Sequence, residues 1–228
     1  MSVKANKKQF IGTTSWLVPG TYYENARLIA QSFDFVELLV YQWDKETKEL
    51  FEAEKDKLIA LHERYGLLYT VHLPTNNFDE VLRVYDYFEG LSHKLSVVNY
   101  VLHPYRDPRF HKFVSSAAKV SVENLAERYV LHQRTVFDVG HHLLGVNVDE
   151  SFIENVVEIH LMGIANGRDH VRLNIPTLES VWKILGDRLF TTEFVCFEIF
   201  DLYELIESVR LWEWWKNNAE RTTQTHQT

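Results

Sequence analysis

The sequence predicts an α/β fold, a closed (β/α)8 TIM barrel in which some helices are abbreviated. Short apolar runs typical of strands alternate with amphipathic helical stretches about eight times along 228 residues, as in parallel barrels. An open doubly wound sheet is the alternative, and it calls for a glycine-rich phosphate turn after the first strand. The residues there, Thr13-Thr14-Ser15-Trp16, contain no Gly-x-Gly-x-x-Gly pattern. The barrel is therefore preferred.

The first half of the chain supplies five strand-like runs separated by four helical patterns. The predicted strands are 10–17, 35–41, 67–73, 97–103 and 120–125, and the predicted helices are 22–33, 45–65, 78–94 and 110–118. Apolar residues Ala26, Ile29 and Phe33 recur at helical spacing in the first helix. Gly66 stands where a C-terminal cap is expected, and Asn77 where an N-terminal cap is expected.

The second half keeps the alternation but is more compressed. The predicted strands are 134–139, 157–162 and 194–200, and the predicted helices are 149–156, 177–185 and 202–215. Thr177 is the predicted N-cap of the second of these helices, with Gly186 behind it. No Pro-, Gly- or Ser-rich linker interrupts the chain, which predicts one domain over residues 10–216. Flexible polar tails are expected at 1–9 and 217–228.

Composition restricts the class of protein. The chain is 46% hydrophobic, 14% aromatic and 25% charged, which is typical of a folded globular domain. A single cysteine, Cys196, excludes a disulfide scaffold. Without a secretory signal or an apolar run of ~20 residues, we expect a cytoplasmic protein that does not enter membranes. The formal charge of −8 argues against a nucleic-acid partner, which favours a basic surface.

Histidines and acids recur where the predicted strands end. They are His72, His103, Glu123, Asp138, His141, His160 and Glu198, with Asp169 and His170 in the loop after the seventh strand. In a TIM barrel the C-terminal ends of the strands converge on one rim, where active sites are built. Any one of these histidines alone also fits a buried residue bonded to backbone.

Glu123 and Glu198 are flanked by strand-forming apolar residues. A buried carboxylate there costs several kcal/mol unless it is paired or binds a metal. Lysine and arginine are absent from the strand ends, apart from Arg106 and Arg168 in loops. The residue types suit zinc, with manganese or iron as alternatives. Nine such side chains predict two or three ions, a centre that favours phosphoester hydrolysis.

Six short segments resemble the xylose-isomerase-like TIM-barrel superfamily, and its endonuclease IV branch most closely. They are Val71-His72-Leu73-Pro74, Leu102-His103-Pro104, Val122-Glu123-Asn124, Phe137-Asp138-Val139-Gly140-His141, Ile159-His160-Leu161 and Phe197-Glu198-Ile199-Phe200. The resemblance implies ligand sets and catalytic residues. A first metal would be held by His72, His103 and Glu123, and a second by Glu123, Asp138, His160 and Glu198.

Glu198 would also orient the attacking hydroxide, which makes Glu198 and Glu123 the candidate catalytic residues. The resemblance implies a third metal held by His141, Asp169 and His170. The family spaces the last pair as Asp-x-His, whereas here the two are adjacent. Neighbouring residues of a strand point to opposite faces, so both would bind only if the loop turns sharply.

Sugar isomerases and epimerases form other branches of the same superfamily. A resemblance to these branches implies a site with one metal, held only by Glu123, Asp138, His160 and Glu198. The two glutamates would move protons at carbons beside a carbonyl. A barrel that binds a metal or ligand without catalysis is the third interpretation.

A further resemblance, to cobamide-remodelling phosphodiesterases of this superfamily, rests on Ile11-Gly12-Thr13-Thr14-Ser15, Val36-Glu37-Leu38 and the segment around His72. It implies a non-DNA phosphodiester of small or medium size, such as the nucleotide loop of a cobamide, although a sugar ligand suits the isomerase alternative. The candidate substrate-binding residues are Trp16, Glu37, Tyr41, Tyr105 and Arg106. Trp212, Trp214 and Trp215 in the last helix are expected to pack that helix or to form a subunit contact.

Overall fold

Eight parallel strands close into a barrel in the computed structural model, which describes residues 8–225 and the side chains of residues 8–218. The described residues form ten strands, eight in the barrel and two, β8 and β9, in a separate hairpin. They are β1 (Phe10–Thr14), β2 (Phe35–Leu39), β3 (Leu68–His72), β4 (Val97–Leu102), β5 (Val120–Glu123), β6 (Thr135–Asp138), β7 (Val156–Leu161), β8 (Gly163–Ala165), β9 (Arg168–Val171) and β10 (Phe194–Phe197). Their order around the barrel is β1-β10-β7-β6-β5-β4-β3-β2, and β8 pairs with β9 outside it. The predicted fold class is confirmed.

Helices surround the barrel, and several are abbreviated. The helices are α1 (Tyr22–Ile29), α2 (Lys45–Tyr65), α3 (Phe78–Leu95), α4 (Phe110–Ser116), α5 (Val139–Leu144), α6 (Glu150–Glu154), α7 (Ile175–Leu185), α8 (Arg188–Thr191) and α9 (Leu202–Thr225). The connection between β5 and β6 contains no helix. Gly66 and Asn77 cap α2 and α3 as predicted.

Several predicted boundaries differ from the structure: β1 ends at Thr14, α1 at Ile29 and β10 at Phe197, each earlier than predicted, and α5 and α8 were not predicted. Asn174, not Thr177, is the N-cap of α7, because its Oδ1 accepts a hydrogen bond from the backbone N–H of Thr177. α9 continues to Thr225, beyond the end predicted at residue 215. Residues 1–7 and 226–228, where flexible tails are expected, lie outside the described residues. Residues 8 and 9 make contacts with the barrel: Lys8 donates to Oδ1 of Asp34 at 2.7 Å, and Gln9 donates to the carbonyl oxygens of Leu189 and Thr192.

A β-hairpin that the sequence prediction missed stands after β7. Its strands β8 and β9 are joined by Asn166 and Gly167, both with positive φ, at 54° and 72°. Two central residues with positive φ are the mark of a type I′ hairpin turn, which favours Asn-Gly. The hairpin places Asp169 and His170 on β9 instead of in a loop.

The lower part of the barrel interior is filled by aromatic rings. The ring of Phe194 stacks on that of Phe10 and meets that of Phe35 edge-on, with both centroid distances 5.6 Å. Gly12 is required beside them, because a Cβ there would lie 2.5 Å from the ring of Phe35. These rings close the N-terminal end of the barrel.

Above this aromatic floor lies a layer of polar side chains, which we call the middle layer. It consists of Glu37, Thr70, Asn99, Ser121, Glu158 and Cys196, all fully buried. The amide of Asn99 donates to Glu158 at 2.6 Å and accepts from the hydroxyl of Ser121 at 2.7 Å. Side chains two residues apart share a face of a strand. The middle layer therefore leads upward to His72, Glu123, His160 and Glu198 at the mouth.

The tryptophans of α9 divide between the core and the surface. Trp212 is buried and packs on Phe190 and Phe197, and Trp215 packs on Trp182. The side chain of Trp214 is 57% exposed, which leaves it as the member of the group available for a subunit contact. No helix in the described part of the chain has the length and apolar content that a membrane span requires.

Candidate metal centre

Glu123, the last residue of β5, lies at the centre of a cluster of imidazoles. Its Oε2 is 3.1 Å from Nε2 of His103 and 3.3 Å from Nε2 of His72. Its Oε1 is 3.5 Å from Nδ1 of His141 and 3.6 Å from Nδ1 of His160. Each oxygen of one buried carboxylate therefore faces two imidazole rings.

His72 ends β3, and His103 immediately follows β4. The Nδ1–H of His72 donates to the carbonyl oxygen of Leu73 at 3.0 Å, which leaves the Nε2 lone pair directed toward Glu123. A backbone acceptor on the far nitrogen commonly fixes the ring of a metal-ligating histidine. Nitrogen and oxygen ligand atoms of His72, His103 and Glu123 all lie within 4.8 Å of one another.

His160 on β7 is fully buried and faces acids on both sides. Its Nδ1 lies 3.2 Å from Oε2 of Glu198, 3.6 Å from Oε1 of Glu123 and 3.8 Å from Oδ2 of Asp138. Its Nε2 lies 3.4 Å from Oε2 of Glu37. Glu198 directly follows β10, whereas the sequence predicts it within that strand.

Asp138 ends β6 and also caps α5. Its Oδ1 accepts from the backbone N–H of His141, and its backbone N–H and C=O bond to the side-chain amide of Asn124. The Nδ1–H of His141 donates to the carbonyl oxygen of Asn124 at 2.8 Å. These bonds hold the carboxylate of Asp138 at the mouth with Oδ2 free of hydrogen-bond partners.

The ligand set expected for a third metal, His141, Asp169 and His170, does not form a compact group as His72, His103 and Glu123 do. The Nδ1–H of His170 donates to the backbone oxygen of Glu198 at 3.1 Å, and its ring stacks on Phe200. Nε2 of His170 lies 3.9 Å from Oδ1 of Asp169. Among the described residues, neither joins a group of three ligand atoms within 4.8 Å, and His141 groups with Glu123 and Asp138 instead.

The ionisable groups of the cluster shift one another's pKa values. Burial opposes protonation of His160, but Glu37, Glu198 and Glu123 outweigh it and raise its pKa well above the usual value. Burial likewise opposes protonation of His141, but the hydrogen bond to Glu123 and the charge of Asp138 raise its pKa to about 10. Burial raises the pKa of Glu198. The cluster is thus an acidic pocket that attracts positive charge.

The residues present fit divalent cations. Both ring nitrogens of His160, Oδ2 of Asp138 and Oε1 of Glu37 are buried without a hydrogen-bond partner. Buried polar atoms of this kind are rare and call for an explanation. Within the described part of the chain, the ion-pair partners of Glu123, Asp138 and Glu198 are all histidines. A divalent ion supplies the positive charge that such acids require.

A cavity of about 280 Å³ opens above the cluster. It is lined by Tyr41, His72, Thr75, His103, Glu123, His141, His170 and Glu198. Burial and the charge of Glu198 raise the pKa of Tyr41, so its hydroxyl stays protonated near neutral pH. The sequence predicts all of these lining residues except Thr75.

Comparisons with known proteins add the fold family. The chain superimposes on a D-tagatose 3-epimerase-like protein with a TM-score of 0.63 and 16% identity, covering 94% of this chain and 100% of that one. A xylose isomerase domain-containing protein from Salmonella typhimurium gives 0.59 and 15%, covering 90% and 92% of the two chains. Endonuclease IV from Thermus thermophilus gives 0.56 and 17%, covering 92% and 99%.

The chain shares the TIM-barrel fold of these three proteins. The sequence matches no protein-family model and no curated protein. Because identity to these structures is low, the likeness concerns the fold, and the chemistry of this barrel must be argued from its own residues.

The expected substrate-binding residues occupy different places in the barrel. Tyr41 lines the cavity. The ring of Trp16, on the rim, meets the ring of Tyr41 edge-on, with 5.4 Å between the ring centroids. Glu37 is fully buried in the middle layer, because the inward face of β2 carries it below His160. Tyr105 donates its hydroxyl to the carbonyl oxygen of Pro74, and Arg106 is exposed. The last three do not line the cavity.

The prediction also missed two residues near the mouth or beneath it. Phe200 stacks on His170 at 4.8 Å and meets Trp16 at 6.3 Å. Glu158 lies under the cluster, and its position two residues before His160 was the signal, because such residues share a face of the strand.

Proposed function

We propose that the protein is a metal-dependent phosphodiesterase with a two-ion centre. One observation carries the proposal: each oxygen of Glu123 faces a different pair of imidazoles. Glu123 would hold one ion together with His72 and His103, and another together with His160. Such a two-ion centre would suit an in-line displacement at phosphorus.

Zinc suits this nitrogen-rich ligand set, with manganese or iron as alternatives. Divalent ions bound here supply electrostatic stabilisation of phosphoryl oxygens and lower the pKa of water. His72, His103 and Glu123 would hold the first ion, and Glu123, Asp138, His160 and Glu198 the second. Glu198 lines the cavity, so its carboxylate can act as a proton acceptor for a water molecule there. It is placed to take the proton of the attacking water as the phosphorus–oxygen ester bond breaks.

The rim supports a bulky, non-DNA substrate. Aromatic rings form an arc from Tyr41 through Trp16 and Phe200 to His170, with successive contacts of 5.4, 6.3 and 4.8 Å. The side chain of Trp16 is 48% exposed and that of Phe200 is 37% exposed. Exposed aromatic surface continuous with a cavity is typical of ligand sites. A phosphodiester carrying a large ring system fits this mouth, and the nucleotide loop of a cobamide is our candidate.

The test combines metal analysis with a substrate panel. Protein purified with and without added zinc is examined for metal content, then assayed with bis(p-nitrophenyl) phosphate, a cobamide and abasic DNA. Two ions per chain with hydrolysis of the cobamide support the proposal. Cleavage of abasic DNA alone contradicts the substrate class, and no cleavage by the two-ion protein contradicts the hydrolase function.

Sugar epimerisation is the second candidate. The observation that favours it is that Glu123, Asp138 and Glu198 all lie within 3.8 Å of one nitrogen, Nδ1 of His160. Those four residues form the one-metal set. One ion per chain, together with interconversion of ketose epimers, supports this function over hydrolysis. A protein that binds ligand but converts neither substrate class is a binding module.

A further inference from the structure

Glu37 has no place in the substrate cavity, yet it is held in a defined position in the middle layer. Its side chain is fully buried on β2, opposite Thr14 of β1 and Thr70 of β3. The hydroxyl of Thr70 donates to Oε2 of Glu37 at 3.3 Å. A buried carboxylate is costly unless something compensates its charge, so its contacts indicate what it does.

The same oxygen of Glu37 faces the underside of His160. Oε2 lies 3.4 Å from Nε2 of His160, which is ion-pair distance without the alignment of a hydrogen bond, and both side chains are fully buried. On the other side of the ring, Nδ1 faces three carboxylates of the candidate metal centre, those of Glu123, Asp138 and Glu198. The two ring nitrogens therefore have different surroundings.

A neutral imidazole carries a proton on one nitrogen and a lone pair on the other. The nitrogen that binds a metal is decided by what the other nitrogen faces, commonly an acceptor such as a carboxylate. We infer that Glu37 is a positioning residue, whose carboxylate beside Nε2 keeps the proton of His160 on that nitrogen and so directs the Nδ1 lone pair toward the second metal. The inference rests on the proposed function, because it assumes that Nδ1 meets a metal.

Glu37 also lies in a group of potential ligand atoms with His160 and Glu198, and in a second group with Glu158 and Cys196. Direct metal binding by Glu37 is therefore the competing role. The two roles differ in which nitrogen of His160 carries the metal. A positioning Glu37 leaves Nε2 protonated, whereas a metal held by Glu37 beside Nε2 removes that proton.

Nitrogen-15 NMR of the zinc-loaded full chain distinguishes the roles. We expect the shifts of His160, assigned with a His160→Gln variant, to show zinc on Nδ1 and a proton on Nε2. Zinc on Nε2 overturns the inference. The measurement is made on the wild-type sequence, so it does not depend on whether a Glu37 variant folds.

Zinc affinity supplies the second readout. Removing an outer partner of a ligating histidine typically weakens metal binding about 10–100-fold. We expect Glu37→Leu and Glu37→Gln to raise the dissociation constant of one of the two zinc ions at least tenfold, by chelator competition, because the ion held with His160 is the one that depends on Glu37. Glu158→Gln is the matched control, because it replaces a buried acid of the same layer that bonds to Asn99; it should change the constant less than threefold.

Folded Glu37 variants that bind both zinc ions as the wild type does overturn the positioning role alone. A wild-type protein that binds no zinc, manganese or iron overturns the proposed function and this inference together. Equal losses in the Glu37 and Glu158 variants indicate a general effect of the middle layer and also contradict a specific role for Glu37.

Discussion

Nε2 of His103 lies 3.1 Å from Oε2 of Glu123, at the point where two neighbouring strands of the barrel end. The other oxygen of Glu123 lies 3.6 Å from Nδ1 of His160. Glu123 is therefore shared between two groups of ligands, whereas His103 serves one of them.

This difference predicts the metal content of two variants. His103→Ala should weaken the binding of one ion and leave the other bound, because the ligands around His160 are unchanged. Glu123→Ala should weaken the binding of both ions, since each oxygen of its carboxylate faces a different pair of histidines. Metal content after dialysis, measured by mass spectrometry, should fall by about one ion in the first variant and about two in the second.

The control is the double variant Asp169→Ala with His170→Ala. Neither residue joins a group of three ligand atoms within 4.8 Å among the described residues, so the metal content should stay at two. Loss of one ion in this double variant restores a third site. Equal losses in the His103 and Glu123 variants contradict the bridging role.

Glu198→Gln should separate chemistry from metal binding. The amide cannot accept the proton of water as a carboxylate does, while its oxygen retains a ligand atom. We expect kcat for phosphodiester hydrolysis to fall by about 10²–10⁴-fold with most of the metal retained. Glu46→Gln, at an exposed position in the first turn of α2, is the control and should keep full activity. A Glu198 variant with unchanged kcat removes Glu198 from the reaction.

Trp16→Leu should lower the affinity for substrates with a large ring system. The loss of one ring contact corresponds to about 1 kcal/mol, or about fivefold in KM. Trp214→Leu is the control. It changes a similarly exposed ring on α9, and Trp214 is not among the residues that line the cavity. Both variants are compared on an aromatic and a small alkyl phosphodiester. The same change in KM for the two variants rules out a specific role for Trp16.

Glu158 predicts a pH dependence of stability in the metal-free protein. Burial, with the charge of Glu37, raises its pKa from 4.5 to about 8. Between these values the folded chain keeps a proton that the unfolded chain releases, so the free energy of unfolding falls as pH rises. Urea unfolding with a chelator at pH 5 and pH 8 should show this fall. In Glu158→Gln the fall should be smaller, and an identical fall shows that Glu158 does not contribute.

Gly12→Ala tests the packing of the aromatic floor. The added Cβ would lie 2.5 Å from the ring of Phe35, and overpacking of this kind costs about 1–3 kcal/mol. Gly90→Ala is the control, since nothing lies within 4 Å of its added Cβ and alanine favours a helix by about 0.5–1 kcal/mol. Urea unfolding should show a less stable first variant and a slightly more stable second one. Equal stabilities would mean that the ring of Phe35 moves aside freely.

The mouth was predictable from the sequence because barrel topology brings strand ends together whatever the details of packing. His72, Glu123 and Asp138 each end a strand, and locating the strands was enough to collect them. The hairpin could also have been predicted, since Asn166-Gly167 is a strong turn signal. The depth of Glu37 inside the barrel could not be predicted, because it depends on how far β2 is shifted against β1 and β3.

The distances between side chains in the cluster likewise could not be predicted from the sequence. Whether Asp169 and His170 reach His141 depends on the path of β9, where His170 has a φ of 52°. The backbone bond from His170 to Glu198 decides the orientation of that ring, and no local pattern encodes it.

The rings of Phe10, Phe35 and Phe194 close the N-terminal end of the barrel, so the cavity opens toward the rim. In the proposed hydrolysis, substrate, water and both products would therefore all pass beside Trp16 and His170. A product that dissociates slowly would block the next substrate, so product release would limit the turnover rate.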